Sequence, residues 1–226
     1  EILDSEGEVL RTFEPAPPED DDEPAEGRGG RGGGGPRLST DPGLNHLTWD
    51  LRTEPWTNFE GMIFWGARRM GPAVPPGQYS VRLTIDGRTE SAPLTVERNP
   101  WIPEVSDEDL RAQYEFSRQV RDKVTEANQA VIAIRRVMAQ LQDRLDQSDD
   151  LGLAEAAESL TGNASAVEAD IYQVRNQSNQ DPLNFPIKVN NRLANLMSMA
   201  ERGDGRPMNN MSEIFDILVN ELRGYT

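Results

Sequence analysis

The feature that most constrains this chain is a change of character near residue 100. Of its 16 prolines, 13 lie at or before Pro103, and 14 of its 19 glycines precede Arg98. Proline and glycine interrupt helices, so the first half favours strands and turns, whereas the second half favours helices. We therefore predict two domains in the 226 residues: a β domain over residues 1–98, a linker over 99–105 and a helical domain over 106–226.

Turn signals and alternating apolar residues predict the strands of the β domain. Two hairpins are predicted, one over residues 1–13 and one over residues 78–96 around Asp86-Gly87. A further strand is predicted over residues 43–52, where apolar and polar residues alternate. Short strands separated by turns are typical of an immunoglobulin-like antiparallel β-sandwich, which is the predicted fold of this half.

Helical periodicity dominates the second half. Apolar residues recur every three or four positions from Leu110 to Leu145, which predicts a helix of about forty residues, ~60 Å long, with Ser106 as its N-cap. Shorter helices are predicted at about 151–177, 185–200 and 210–223. They are expected to form an antiparallel bundle of three to four helices. The first helix is longer than the others can cover, so part of it is expected to project or to contact another chain.

Charge and low complexity restrict the classes of partner. The chain has 39 acidic and 23 basic residues, for a net charge of −16. Such a surface repels phosphate backbones and anionic lipid, so we predict neither nucleic-acid nor direct membrane-surface binding. Residues 15–36 combine an acidic run with a glycine–arginine tract and are predicted to be a loop inserted in the β domain. The sequence contains no apolar run of the ~20 residues that span a bilayer.

The residues that usually carry catalysis are scarce. Cysteine is absent and His46 is the single histidine, which excludes thiolate chemistry and sites built from several histidines. No nucleophile elbow, phosphate-binding loop or dinucleotide fingerprint occurs. We therefore predict a protein that is not an enzyme, with no catalytic residue, no metal site and no cofactor.

The most informative segment is an aromatic loop between the predicted strands. Three roles compete for it: a lid over the sandwich core, a protein-binding patch, and a platform on which sugars stack. Aromatic residues and arginine are enriched at protein interfaces. The candidate interface residues are Trp56, Phe59, Phe64, Trp65, Arg68, Arg69 and Trp101.

Several motifs resemble the C-terminal region of bacterial sortilin-like, BNR-repeat β-propeller proteins, which are often labelled glycosyl hydrolases. The resemblance is carried by Gly43–Arg52 (GLNHLTWDLR), Gly71-Pro72, Pro76–Thr84 (PGQYSVRLT), Asp86-Gly87, Asp181–Pro186 (DPLNFP) and Gly205–Pro207 (GRP). In that family a sandwich like that of flagellar hook-capping proteins follows the propeller and precedes a helical tail. The resemblance implies that any glycosidase-like activity belongs to the propeller, so no catalytic residue carries over. It also implies that the first strand of the sandwich is missing ahead of Glu1.

These patterns predict a non-catalytic structural and protein-interaction module. We expect an accessory subunit that stabilises a larger periplasmic or cell-surface, membrane-associated complex in a bacterium, for example a respiratory or photosynthetic one. Its partners would be other protein subunits of that complex. The alternative is a carbohydrate-binding C-terminal appendage of an exported propeller protein, which requires Trp56 or Trp65 on an exposed flat face.

Overall fold

A computed structural model describes residues 1–15, 38–40, 42–148 and 150–225. The chain divides into two compact units. The first contains Glu1–Glu54 and Ala73–Pro103, and the second contains Pro55–Pro72 and Glu104–Thr226. The aromatic loop therefore groups with the helices, whereas the sequence pattern places it among the strands. Most of the predicted insertion at residues 15–36 lies outside the described residues.

The first unit is built on a four-stranded antiparallel sheet with strand order β2-β1-β3-β4. The strands are β1 (Ile2–Leu3), β2 (Val9–Arg11), β3 (Gly77–Ile85) and β4 (Arg88–Val96). Both predicted hairpins are confirmed. At the second turn Asp86 and Gly87 both have positive φ, +48° and +77°, which is the backbone geometry that matches the right-handed twist of a two-residue hairpin.

The apolar core of the first unit is small. Its members are the buried residues Ile2, Leu3, Phe13, Val74 and Val96. Along β3, in contrast, Val81, Leu83 and Ile85 share one face of the sheet and are all exposed. The residues paired with Val81 and Leu83 on β4 are Ala92 and Glu90, which add little cover. The sheet is therefore packed at one end only.

The strand predicted over residues 43–52 does not form. Within the described residues the unit contains one sheet, so the second sheet that a sandwich requires is not observed there. Leu51 has φ +57°, and the Asp50 carboxylate accepts a hydrogen bond from the Arg52 amide at 3.2 Å, so the chain turns where a strand would continue. Trp49 donates from Nε1 to the Arg52 carbonyl at 2.8 Å and packs edge-on against Tyr79. Local turn chemistry thus overrides the alternating pattern.

The second unit contains the four predicted helices. They are α1 (Asp107–Leu145), α2 (Leu151–Ile171), α3 (Val189–Ala200) and α4 (Asn209–Arg223), with one 3₁₀ turn at Asp181–Leu183. The N-cap prediction at Ser106 is confirmed: the Ser106 hydroxyl accepts from the Asp109 amide, and the Asp109 carboxylate accepts from the Ser106 amide. Within the described residues no helix is long and apolar enough to cross a membrane.

Two helix boundaries differ from the sequence pattern. Helix α2 ends at Ile171 instead of near 177, because Tyr172 leaves the helix in an extended conformation. Helix α3 begins at Val189 instead of 185: Pro186 disfavours helical geometry at Phe185, and Lys188, the N-cap residue, is extended. The connection between them is closed by the Asp181 carboxylate, which accepts from the amides of Gln177 and Ser178 at 2.6 and 2.8 Å.

Candidate protein-interaction surface

The aromatic loop, residues 55–72, is part of the hydrophobic core of the helical unit. Trp56 is 1% exposed and Phe59 is also buried. Both belong to one hydrophobic cluster with residues of all four helices. Phe64 is partly buried and packs against that cluster. Of the three roles considered from sequence, the loop thus resembles a lid, but it covers the helical core and not the sandwich core. Trp56 and Phe59 are occupied by intramolecular packing.

Three buried asparagines hold this loop on the helices. Asn128 of α1 donates to the Thr57 carbonyl at 2.8 Å and accepts from Asn190 of α3 at 3.0 Å. Asn191, also of α3, accepts from the Trp65 amide at 2.8 Å and donates to the Trp65 carbonyl at 3.0 Å. The Asn191 side chain thus pairs with both the backbone N–H and the backbone C=O of Trp65, as a residue on a neighbouring β-strand would. Because these groups are buried, the bonds fix the loop's path.

A second cluster fastens the middle of the loop. The Tyr172 hydroxyl accepts from the Ile63 amide at 3.0 Å and donates to the Gly61 carbonyl at 3.2 Å. Its ring meets Phe59 edge-on at 5.0 Å, and the Arg135 guanidinium lies 4.7 Å from the centre of the Phe59 ring. Burial raises the pKa of the Tyr172 hydroxyl above its ordinary value.

Arg135 connects this cluster to helix α2. Its Nε donates to the Glu168 carboxylate at 2.7 Å, and a terminal nitrogen donates to the Glu60 carbonyl at 3.3 Å. The Glu168 carboxylate is largely buried, so this ion pair compensates a charge that would otherwise be costly to bury. The loop is therefore fixed to α1, α2 and α3.

The remaining predicted interface residues are divided between the two units. Trp65 is 39% exposed, and Arg68 and Arg69 are exposed, with Arg69 Nε donating to the Trp56 carbonyl at 3.3 Å. These three belong to the helical unit. Trp101, 89% exposed, belongs to the first unit.

An apolar groove between α3 and α4 borders the exposed part of the loop. It has a volume of about 320 Å³ and is lined by Ile187, Arg192, Asn195, Leu196, Met199, Ile214, Ile217 and Leu218. Asn195 joins groove and loop, since a Cβ placed on Gly66 would lie 3.2 Å from its side-chain oxygen. Ile217 is 64% exposed, and Met199 and Ile214 are also exposed. Trp65 and this groove together are called the loop–groove surface below.

Sequence reasoning missed the groove. The apolar pattern of α4 assigns Ile214 to the core together with Met211, Leu218 and Leu222, but Ile214 is exposed at the groove. The available signal was Ile217, an apolar residue outside that core stripe. A helix with apolar residues on two sides packs against more than one neighbour.

The single histidine of the chain lies apart from the helical unit. His46 is exposed in the first unit. Among the described residues, no group of three or more histidine and carboxylate side chains is placed to hold a metal ion. Comparisons with protein-family models, with curated proteins and with solved structures find no match to this chain.

Proposed function

We propose that this chain is a non-catalytic protein-interaction module, an accessory subunit that stabilises a larger assembly on the periplasmic or outer face of a bacterial membrane. The observation that carries the proposal is the loop–groove surface. It presents Trp65, Met199 and Ile217 to solvent beside a loop whose backbone is held by buried hydrogen bonds. A surface with this composition on a rigid support matches the buried centre of a protein interface.

Rigidity is the physical reason to favour protein binding. A loop that is already ordered loses little conformational entropy when a partner covers it, so more of the contact energy appears as affinity. The exposed apolar side chains are also clustered and not scattered, and clustered exposure marks interaction sites.

The same proposal includes the first unit. We propose that the sheet is half of an immunoglobulin-like sandwich, as in the sortilin-like, BNR-repeat family, with a second layer packing over Val81, Leu83 and Ile85. That row supports the proposal because it is apolar, lies on one face and is exposed.

Site-specific photocrosslinking in the native cells tests the protein-interaction proposal. A photoreactive residue is placed at Ile217 or at Trp65, with Asp122 on the outward side of α1 as the matched exposed control. We expect both groove positions to yield an adduct with the same protein and the control position to yield none. If neither position yields a crosslinked partner protein, the proposal is refuted.

The carbohydrate alternative is limited by burial. Of the two tryptophans that it requires, Trp56 is in the core and only Trp65 is accessible. Binding of a polysaccharide that is abolished by Trp65→Ala, together with no protein adduct at Ile217, would favour this alternative.

A further inference from the structure

The turn between helices α3 and α4 brings together three of the seven methionines of the chain. Met199 lies in the last turn of α3, Met208 is the N-cap residue of α4, and Met211 lies in the first turn of α4. All three line one open pocket of about 210 Å³, whose other walls are Ala200 and residues 203–207. Three thioether side chains therefore border the same space.

Packing of the helical core accounts for only one of these three side chains. Met211 is buried in the core, whereas Met199 is 44% exposed and Met208 is 58% exposed. Methionine is more often buried, because its flexible side chain fills gaps in a core. Met197, two residues before Met199, follows that rule and is fully buried. The core therefore does not require the other two methionines at the pocket.

Helix α1 holds the backbone that carries these methionines. Gln113 donates from Nε2 to the carbonyls of Ala200 and Gly203 at 2.6 and 2.5 Å, which fixes the end of α3 and the start of the following loop. At the other end of the loop, Arg206 Nε donates to the Asp109 carboxylate at 2.9 Å. A methionine side chain has three rotatable bonds, so exposed thioethers on a fixed backbone can rotate towards a common ligand without a change of fold.

The charges around the pocket favour a cation. Arg206 lines the pocket, but its guanidinium is paired with the carboxylates of Glu108 and Asp109. Asp204 also lines the pocket and is exposed. One arginine is therefore surrounded by three carboxylates, and a bound cation of single charge would experience net attraction.

The thioether group determines which cation fits. Thioether and thiolate sulfur are soft ligands that select Cu(I), whereas Mg²⁺ and Ca²⁺ prefer oxygen ligands. The prediction of no metal site rested on the absence of cysteine and on the single histidine, and thioethers are a different type of ligand. We propose that Met199, Met208 and Met211 bind one Cu(I) ion through their sulfur atoms in this pocket.

Competition for Cu(I) with the coloured chelator bicinchoninate, without oxygen and with a reductant, measures binding to the full chain. We expect the native protein to withdraw one equivalent of Cu(I), and an excess of Zn²⁺ not to displace it. Met199→Leu and Met208→Leu each remove one sulfur with little change of volume. Each should weaken binding at least about tenfold, since even changes behind the ligands of a metal cost about 10–100-fold. Met138→Leu, outside the pocket, is the matched control and should leave the affinity unchanged.

Methyl NMR identifies the ligands in the native chain. Cu(I) has a full d shell and is diamagnetic, so the signals of isotope-labelled methionine methyl groups remain visible when it binds. We expect the signals of Met199, Met208 and Met211 to shift on addition of one equivalent. The signals of Met70 and Met138, which do not line the pocket, should stay in place. The methionine-to-leucine variants assign the signals.

The ligand type also predicts how binding depends on pH. Histidine, thiolate and carboxylate ligands must lose a proton before they bind a metal ion, whereas a thioether has no proton to lose. The affinity for Cu(I) should therefore be the same at about pH 5.5 and at about pH 7.5, since ordinary carboxylates are ionised at both values. A marked loss at the lower pH would instead indicate binding at the single histidine, His46, and would contradict the proposal.

Three further results would overturn the proposal: no withdrawal of Cu(I) from the chelator, an affinity unaffected by Met208→Leu, or shifts confined to methionines outside the pocket. Met199 borders both this pocket and the loop–groove surface. The photocrosslinking positions, Trp65 and Ile217, do not line this pocket, so either proposal can fail while the other stands.

Discussion

Asn128 is the residue on which the docked loop most depends. It is fully buried and connects the Thr57 carbonyl to the Asn190 amide, so it joins the loop, α1 and α3 in one hydrogen-bonded chain. Asparagine is normally a surface residue, and its complete burial is tolerated because its groups are paired. Removing it leaves buried polar partners unsatisfied, which costs more than the bonds contribute on average.

We expect Asn128→Leu to lower the free energy of unfolding by about 2–4 kcal/mol, since each of two buried partners left unsatisfied costs roughly 1–3 kcal/mol. Urea unfolding followed by circular dichroism measures the loss. Gln129→Leu, at the exposed neighbouring position of the same helix, is the control and should change stability by less than about 0.5 kcal/mol. Equal effects of the two substitutions would show that the network does not stabilise the loop.

Gly66 is constrained by backbone conformation and by its neighbour. Its φ is +71°, and a Cβ would lie 3.2 Å from the Asn195 side-chain oxygen. Gly61 has nearly the same φ, +72°, with nothing within 4 Å of its Cβ position. Comparing substitutions at the two glycines therefore distinguishes the energetic cost of a left-handed backbone from the cost of a steric contact with Asn195.

We expect Gly61→Ala to destabilise the unit by roughly 1–2 kcal/mol, the cost of an L-residue in the left-handed region. Gly66→Ala should cost about 1 kcal/mol more, because the added methyl group displaces Asn195. Thermal unfolding of both variants gives the difference. If they unfold at the same temperature, Asn195 adapts and the groove beside it is softer than the structure indicates.

Among the elements, helix α1 is the one most clearly defined at its start. Ser106 and Asp109 form a reciprocal capping box, and Arg206 Nε donates to the Asp109 carboxylate at 2.9 Å. Hydrogen bonds from Ser106, and then from Arg206, hold the pKa of Asp109 below its ordinary value. One carboxylate therefore stabilises both the helix start and the loop that precedes α4.

The capping box predicts a pH dependence. A carboxylate whose pKa is lower in the folded state stabilises the fold above its unfolded pKa of about 4, and that contribution is lost as the pH falls through the folded pKa. Lowering the pH from about 5 to about 2 should therefore reduce the unfolding free energy more in the native chain than in Asp109→Asn. Denaturant unfolding at both pH values checks this. Parallel losses in the two proteins would mean that Asp109 is not responsible.

At the scale of the whole molecule, the helical unit is discontinuous in sequence. Its core requires residues 55–72, which are separated from the helices by two strands of the other unit. Residues 104–226 alone would leave an open site where Trp56 and Phe59 pack. All four tryptophans precede residue 104, so the helical part has no tryptophan of its own.

We expect a chain of residues 104–226 to be helical but less stable than the same helices in the full protein, and to bind a peptide of residues 55–72. Removing one large buried aromatic residue costs about 3–5 kcal/mol, and here two are missing. The fluorescence of the peptide's tryptophans should shift to the blue on binding. A peptide with Phe59→Ala and Trp56→Ala is the control, and binding of that peptide as tight as the native one would contradict the packing of the loop on the helices.

Sequence patterns predicted the features that depend on neighbouring residues. The capping box at Ser106, the turn at Asp86-Gly87 and the four helices follow from local conformational preference and from periodicity, which act within a few residues. The two helix boundaries that differ are the end of α2 at Ile171, where Tyr172 binds the distant aromatic loop, and the start of α3 at Val189, which follows Pro186.

Only the tertiary structure decided where the aromatic loop packs and which surfaces remain exposed. Apolar side chains fit any core, because the hydrophobic effect has no direction, so aromatic residues between two strands do not reveal that they belong to the helices. The asparagines that direct the loop there lie about 70 to 126 positions away along the chain, and their pairing depends on geometry that no local pattern contains. Local sequence patterns therefore determine the helices and hairpins. Hydrogen bonds between residues far apart in the sequence determine where the aromatic loop packs.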